Sequence, residues 1–176
     1  VSITIPSSVT SVGYQAFHSC TNLENISIPP SVTEIGIGAF HQTKWVNNQK
    51  KENGGLVYIN NMLYTSSQYT RSFVIKDGTT AILDQALFGD DIESVIIPNT
   101  VKKIGLKAFF GCKNLRNIKI PSGVTSLGYG VFGESGLESI SLPNTLTELP
   151  VRAFKDCYRL QNIEIPSSVT SLGYYV

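Results

Sequence analysis

Three cysteines and two histidines are the side chains best suited to chemistry in this chain of 176 residues. A thiolate acts as a nucleophile, pairs into a disulfide or ligates zinc. An imidazole serves as a base or a metal ligand. The thiols are Cys20, Cys112 and Cys157, and the imidazoles are His18 and His41. Asp77-Gly78 and Asp90-Asp91 add carboxylates, but in turn-like settings where Asp is commonplace. The many serines recur as Ser-Ser-Val-Thr, a motif that repeats along the chain and so reflects its architecture. No nucleophile elbow, phosphate loop or metal-protease motif is present in the sequence. Whether any of these groups can converge depends on the elements that position them.

Those elements repeat. Pro6, Pro29, Pro98, Pro121, Pro143 and Pro166 each follow an aliphatic residue, and Lys76 fills the one gap because Val74-Ile75-Lys76 copies Ser27-Ile28-Pro29. The intervals are 23, 47, 22, 23, 22 and 23 residues, a period that signals a solenoid. Three and six residues after the proline stand aliphatics, from Val9 and Val12 to Val169 and Leu172. Ten and eleven after it stand Ala16-Phe17, Ala39-Phe40, Ala86-Leu87, Ala108-Phe109, Val131-Phe132 and Ala153-Phe154. Leu23, Ile92, Leu115, Leu137 and Leu160 lie six before the next proline. No coil can bury these residues alone, so neighbouring coils must stack.

Local structure follows from residue type. Leu23 to Pro29 carries β-branched residues two apart and predicts a short strand, which the proline ends for want of a donor. Gly13, Gly36, Gly105, Gly128 and Gly173, seven residues past the proline, predict a turn with positive φ. Leu83 and Pro150 break that column and predict a different turn in their coils. The Ala-Phe stretch is expected to form one helical or 3₁₀ turn.

The pattern Leu-x-x-Ile-x-Ile-Pro-x-x-Val-x-x-Ile-Gly-x-x-Ala-Phe-x-x-Cys resembles the BspA-type leucine-rich repeat, over nearly the whole chain. The resemblance implies a β-rich, right-handed superhelix of about seven coils of 22–23 residues with short parallel strands. It also implies a surface protein of bacteria or protozoa, of the kind usually called an adhesin or binding protein. It does not carry a ligand, since fold does not fix function.

The interval of 47 residues exceeds one coil. A hidden degenerate coil would place Gly55, Tyr58 and Leu63 in the core columns with no Ala-Phe pair, a poor fit. The better reading is an insertion at about 44–72 containing a β-hairpin: Leu56-Val57-Tyr58-Ile59 and Met62-Leu63-Tyr64 flank Asn60-Asn61, suited to a type I′ turn. Trp45, Tyr58, Tyr64 and Tyr69 make the region aromatic. They are either anchors for a partner or local cover for the solenoid. The resemblance favours cover, because similar Thr-x-Trp and Tyr-x-x-Asn-x-x-Tyr insertions look like a recurring device of the family.

The periodicity also disposes of most chemistry. The three cysteines share one column, and stacked coils rise about 4.8 Å. Cys112 and Cys157 are two coils apart, about 10 Å by that spacing, beyond the roughly 7 Å limit for a bridge. They are expected to act as small buried hydrophobes, without zinc. His18 and His41, one coil apart, lack a third ligand and make a weak metal site; they read as solvent-edge residues beside the Phe column. No metal and no cofactor are expected, and without convergent groups the sequence argues against an enzyme.

The outward positions of the stacked strands form a face. Four before the proline run small polar residues, among them Ser94 and Asn117; two before run Thr4, Ser27, Val74, Ile96, Lys119, Ser141 and Glu164. Solenoids commonly bind through such a face. Val74, Ile96 and Lys119 are its least polar part and, with Ser94 and Asn117, the expected contact; Trp45, Tyr58 and Tyr64 are the candidates in the insertion. Five before the proline, Glu24, Arg71, Glu93, Arg116 and Glu138 alternate in sign, which reads as a ladder holding coils in register. Asn25-Ile26-Ser27 matches a glycosylation sequon, relevant only in a eukaryotic secretory host.

Composition agrees. With 14 Lys and Arg against 13 Asp and Glu, the chain lacks the positive excess that nucleic-acid binding needs. No run of 18 apolar residues suggests a membrane span. Charged residues at 15%, with 15 Gly and 8 Pro, describe short elements joined by turns. The expectation is a single solenoid over residues 1–176, part of a longer array, whose uncapped apolar ends permit end-to-end self-association. It is read as an extracellular, bacterial cell-surface module that binds a protein or glycan partner, with a structural spacer as the alternative and an enzyme a distant third.

Overall fold

The computed structural model describes residues 1–67 and 70–176. It is a solenoid in which each coil contributes two short strands and a turning arc. The strands just before the proline are β1 (Ser2–Thr4), β3 (Asn25–Ser27), β7 (Ser72–Val74), β9 (Ser94–Ile96), β11 (Asn117–Lys119), β13 (Ser139–Ser141) and β15 (Asn162–Ile163). The second column holds β2 (Ser11–Val12), β4 (Glu34–Ile35), β8 (Ala81–Ile82), β10 (Lys103–Ile104), β12 (Ser126–Leu127), β14 (Glu148–Leu149) and β16 (Ser171–Leu172). Pairing within both columns is parallel and in repeat register: Ser72 faces Ser94, Asn117 faces Ser139, Lys103 faces Ser126. The interior holds the predicted columns, including Val32, Val101 and Val124, Ile82 and Ile104, and the leucines Leu115 and Leu137. Phe109, Phe132 and Phe154 stack with centroids 5.6 Å apart, and Phe17 stacks on Phe40 at 5.4 Å.

The arc departs from expectation. It forms consecutive hydrogen-bonded turns with no helical segment. Positive φ recurs nine residues after the proline, at Gln15, Gly38, Gln85, Lys107, Gly130 and Arg152, and again thirteen after it, at Ser19, Gln42, Gly89, Gly111, Glu134 and Asp156. Two left-handed residues four apart bracket the Ala-Phe pair and leave no room for a helix. Lateral bonds between arcs, such as Phe17 N–H to the Ala39 carbonyl and Phe109 N–H to the Val131 carbonyl, add a third ladder.

The glycines seven past the proline do not have positive φ. They serve close approach: a Cβ at Gly36, Gly105, Gly128 or Gly173 would stand 2.3–2.4 Å from an atom of the preceding coil. Leu83 and Pro150 do not alter the turn, because Gln85 and Arg152 keep the same positive φ as their counterparts. Pro150 has another effect. Gly36, Leu83, Gly105, Gly128 and Gly173 each donate an N–H to the preceding coil, and proline cannot. The second column accordingly breaks between β12 and β14.

Between β4 and β8 lie a helix, α1 (Lys44–Glu52), and the predicted hairpin, β5 (Leu56–Ile59) with β6 (Met62–Ser66). Sequence reading missed α1. Its signals are present: Thr43 caps it by accepting from the Val46 N–H, and Lys50 and Lys51 sit in its last turn. At the tip Asn60 alone has positive φ, so the turn is not type I′, which needs both central residues there.

The hairpin is a layer of the stack. β6 pairs in parallel with β8, Leu63 opposite Ile82, taking the place of a coil's second strand. Helix α1 follows the first column, with the Trp45 N–H donating to the Leu23 carbonyl. Val57, Ile59, Met62 and Tyr64 pack with the N-terminal coils, whereas Leu56 and Leu63 pack with the C-terminal ones. Every residue of β6 is buried, which explains why its sequence lacks the alternation of a half-exposed strand.

Candidate functional site

The first strand column is open on its outward side. Val74 and Ile96 are direct cross-strand partners, and each leaves 63% of its surface exposed. Ser94, Asn117 and Lys119 are exposed on β9 and β11, and β11 lies against β9. The structure therefore sets Val74 opposite Ile96, and Lys119 and Asn117 stand on β11 alongside, where the hydrogen-bonded ladder is interrupted between β9 and β11. The inward residues of the same strands, Phe73, Val95 and Ile118, anchor the face to the core.

The alternating charges form pairs beside this face. Arg71 meets Glu93 at 2.9 Å, Arg116 meets Glu138 at 3.7 Å, and Lys44 of α1 pairs with Glu24, holding its carboxyl below the ordinary value through the hydrogen bond and charge. Such exposed pairs are screened by water and contribute little to stability. They link successive layers, and Lys44 shows that α1 keeps the ladder going.

The aromatics of the insertion face inward. Tyr64 is 4% exposed, its hydroxyl accepts the Phe40 N–H at 2.8 Å, and burial pushes its pKa up to about 12. The half-buried Tyr58 accepts the Lys76 N–H at 3.1 Å, and burial raises its pKa. Trp45, also half-buried, meets Phe40 edge to face at 5.5 Å. Tyr69 lies outside the described residues.

The cysteine column behaves differently along the stack. Cys112 is fully buried, donates to the Leu87 carbonyl at 3.1 Å, and is pushed up to about 12 by burial and by the nearby Asp90 charge. Cys157 is half-buried and raised chiefly by burial. Cys20, in the first coil, is exposed. All three are free thiols. The rings of His18 and His41 lie 6.5 Å apart and are half-buried, deeper than a solvent edge. Burial, then the Lys50 charge, lowers the His41 pKa. Among the described residues no group of three or more His, Cys, Asp or Glu is placed to hold a metal, and no helix is long and apolar enough to cross a membrane.

Solved structures share the fold. A leucine-rich repeat protein of T. pallidum superposes with a TM-score of 0.57 at 23% identity, covering 98% of this chain and 73% of that one. A leucine-rich cell surface protein of Faecalibacterium prausnitzii gives 0.51 at 20% identity, covering 98% and 59%. A leucine-rich repeat protein of Eubacterium ventriosum gives 0.50 at 22%, covering 97% and 62%. The chain thus spans less than two thirds of the last two. No curated protein matches the sequence. The model of the BspA type leucine rich repeat region matches in six copies, over residues 1–95 and 80–176. Stacked parallel strands, the recurring arc and this match across the whole length agree: the chain belongs to the BspA-type leucine-rich-repeat family.

Proposed function

We propose that the chain is a non-catalytic recognition module of a bacterial cell-surface protein, binding a protein or glycan partner through the outward face of β7, β9 and β11. The observation that carries the reading is the paired exposure of Val74 and Ile96 on an otherwise polar face, with Lys119 beside them. Apolar side chains set side by side in water, with a cation at their edge, suit a contact surface. Leucine-rich-repeat families are typically non-catalytic, and one protein with this fold is a cell surface protein. A formal net charge of +1 gives no support to nucleic acid as the partner.

The test is binding of the immobilised chain to panels of purified extracellular-matrix proteins and glycans, beside Val74→Asp and Ile96→Asp. Both side chains point into solvent, so the fold is expected to survive. A ligand bound by the parent and lost by both variants supports the reading. A chain that binds nothing on either panel, or variants that bind as the parent does, favours a structural spacer.

A further inference from the structure

The repeat provides an internal control for residues that a coil does not need. Fourteen positions after the proline stand Cys20, Thr43, Asp90, Cys112, Ser135 and Cys157. Five of these are small thiols or hydroxyls, and those of Thr43, Cys112 and Cys157 donate to backbone carbonyls. Asp90 is the one acid in the column. It is 5% exposed, its carboxylate accepts from the Ser66 hydroxyl, and burial raises its pKa. A carboxylate pays a desolvation penalty there that a cysteine or serine avoids.

Asp90 opens onto a cleft created by the inserted layer. Twelve positions after the proline run His18, His41, Phe88, Phe110, Gly133 and Lys155. The inserted layer supplies strand β6 but no Ala-Phe arc, so this column has a gap between His41 and Phe88. The gap is a cleft of about 630 Å³, within the roughly 300–1,000 Å³ of small-molecule sites. Thr65 and Ser66 of β6 and Lys50 of α1 line it, with Gln42 and Gln85. One face of Phe88 is fixed against Phe110, stacked at 5.3 Å, while the residue is still 45% exposed and contributes to the cleft. Among the described residues Lys50 and Asp90 form no ion pair, although burial lowers the Lys50 pKa. His18, also in the lining, has a buried Nδ1 without a hydrogen-bond partner among the described residues.

We propose that this cleft binds one unit of a neutral saccharide, its ring against Phe88 and its hydroxyls bonded to Asp90, Lys50, Gln42 and Gln85. A pyranose has an apolar C–H face that suits an aromatic ring, and hydroxyls that both donate and accept. Asp90 accepts, Lys50 donates, and the two glutamines do both. A simple anion would meet the Asp90 charge and a simple cation the Lys50 charge; a neutral polyol uses both without opposition. The site is separate from the strand face, so either can fail alone.

The experiment is a ¹H–¹⁵N NMR titration of the chain with glucose, galactose, mannose and N-acetylglucosamine, and with inorganic phosphate, beside Phe88→Ala, Asp90→Asn and the strand-face variant Ile96→Asp. Circular dichroism checks the fold of each. The expected result is saturable binding of at least one sugar, with shifts centred on Gln42, Lys50, Gln85, Phe88 and Asp90. Phe88→Ala and Asp90→Asn each weaken it tenfold or more, and Ile96→Asp leaves it unchanged. No saturable binding of any sugar, binding of phosphate alone, or sugar binding retained in folded Phe88→Ala and Asp90→Asn would overturn the proposal.

Discussion

Gly13 and Gly128 hold the same repeat position in nearly the same setting, Ser-Val-Gly-Tyr and Ser-Leu-Gly-Tyr. If the glycine served a left-handed turn, alanine would harm both equally. Neither has positive φ. A Cβ at Gly128 would stand 2.3 Å from the Leu106 nitrogen and 2.4 Å from the Gly105 carbonyl carbon, whereas at Gly13 nothing lies within 4 Å. The shortfall at Gly128 is about 1 Å against backbone that cannot rotate away, and overpacking of this kind costs about 1–3 kcal/mol. Moving the coil also stretches the 2.8 Å bond from the Gly128 N–H to the Ile104 carbonyl, worth about 1 kcal/mol. Gly128→Ala should therefore lose about 3 kcal/mol, a fall of about 6–12 °C in the thermal midpoint for a chain of this size. Gly13→Ala should be neutral or gain about 0.4–1 kcal/mol, because alanine restricts the unfolded chain. Thermal unfolding by circular dichroism, repeated in urea, measures both. Equal losses at the two positions would refute the close-approach explanation.

Other outcomes are equally specific. Tyr64→Phe leaves the buried Phe40 N–H without its acceptor and should cost about 1–3 kcal/mol, read from urea unfolding. Iodoacetamide on the native chain, followed by mass spectrometry of peptides, should label the exposed Cys20 within the time that Cys112, buried and with its pKa near 12, stays unmodified. Burial raises the Asp90 carboxyl above its ordinary 3.8, so the folded chain holds that proton more tightly than the unfolded one. The stability it contributes is fully present below pH 3.8 and is lost as the pH rises through the raised value. Asp90→Asn should then raise the thermal midpoint at neutral pH and gain nothing below pH 3.8; a gain independent of pH would contradict the titration.

The regular coils were legible because each apolar column repeats several times. The proline register, the Phe stack and the in-register strands all follow from spacing. Side-chain type could not distinguish a glycine required for φ from one required for space, since both look identical in one coil. The structure separates them by showing the preceding backbone. The left-handed positions are hard to read because glycine holds only four of them, Gly38, Gly89, Gly111 and Gly130, while Gln, Lys, Arg, Ser, Glu and Asp hold the rest, most of them tied by lateral bonds between arcs. The insertion reads as a hairpin because Asn60-Asn61 marks a turn. Its role as a layer was missed because Leu63 enters the Ile82 column only after α1 and β5 have consumed an irregular length of chain. The pairing of Val74 with Ile96 is readable from repeat arithmetic alone. The cleft is not, since it arises from an arc that the insertion lacks.

Hydrogen exchange of the β6 amides tests most directly that the inserted layer belongs to the solenoid stack. Leu63, Tyr64 and Thr65 should be protected to the same degree as Ile82 of β8 and Ile104 of β10, because β6 is buried on both faces and paired with β8. Exchange of these amides at the rate of exposed turns such as Asp77-Gly78, with β8 and β10 still protected, would show a flap lying on the solenoid and contradict the stacking.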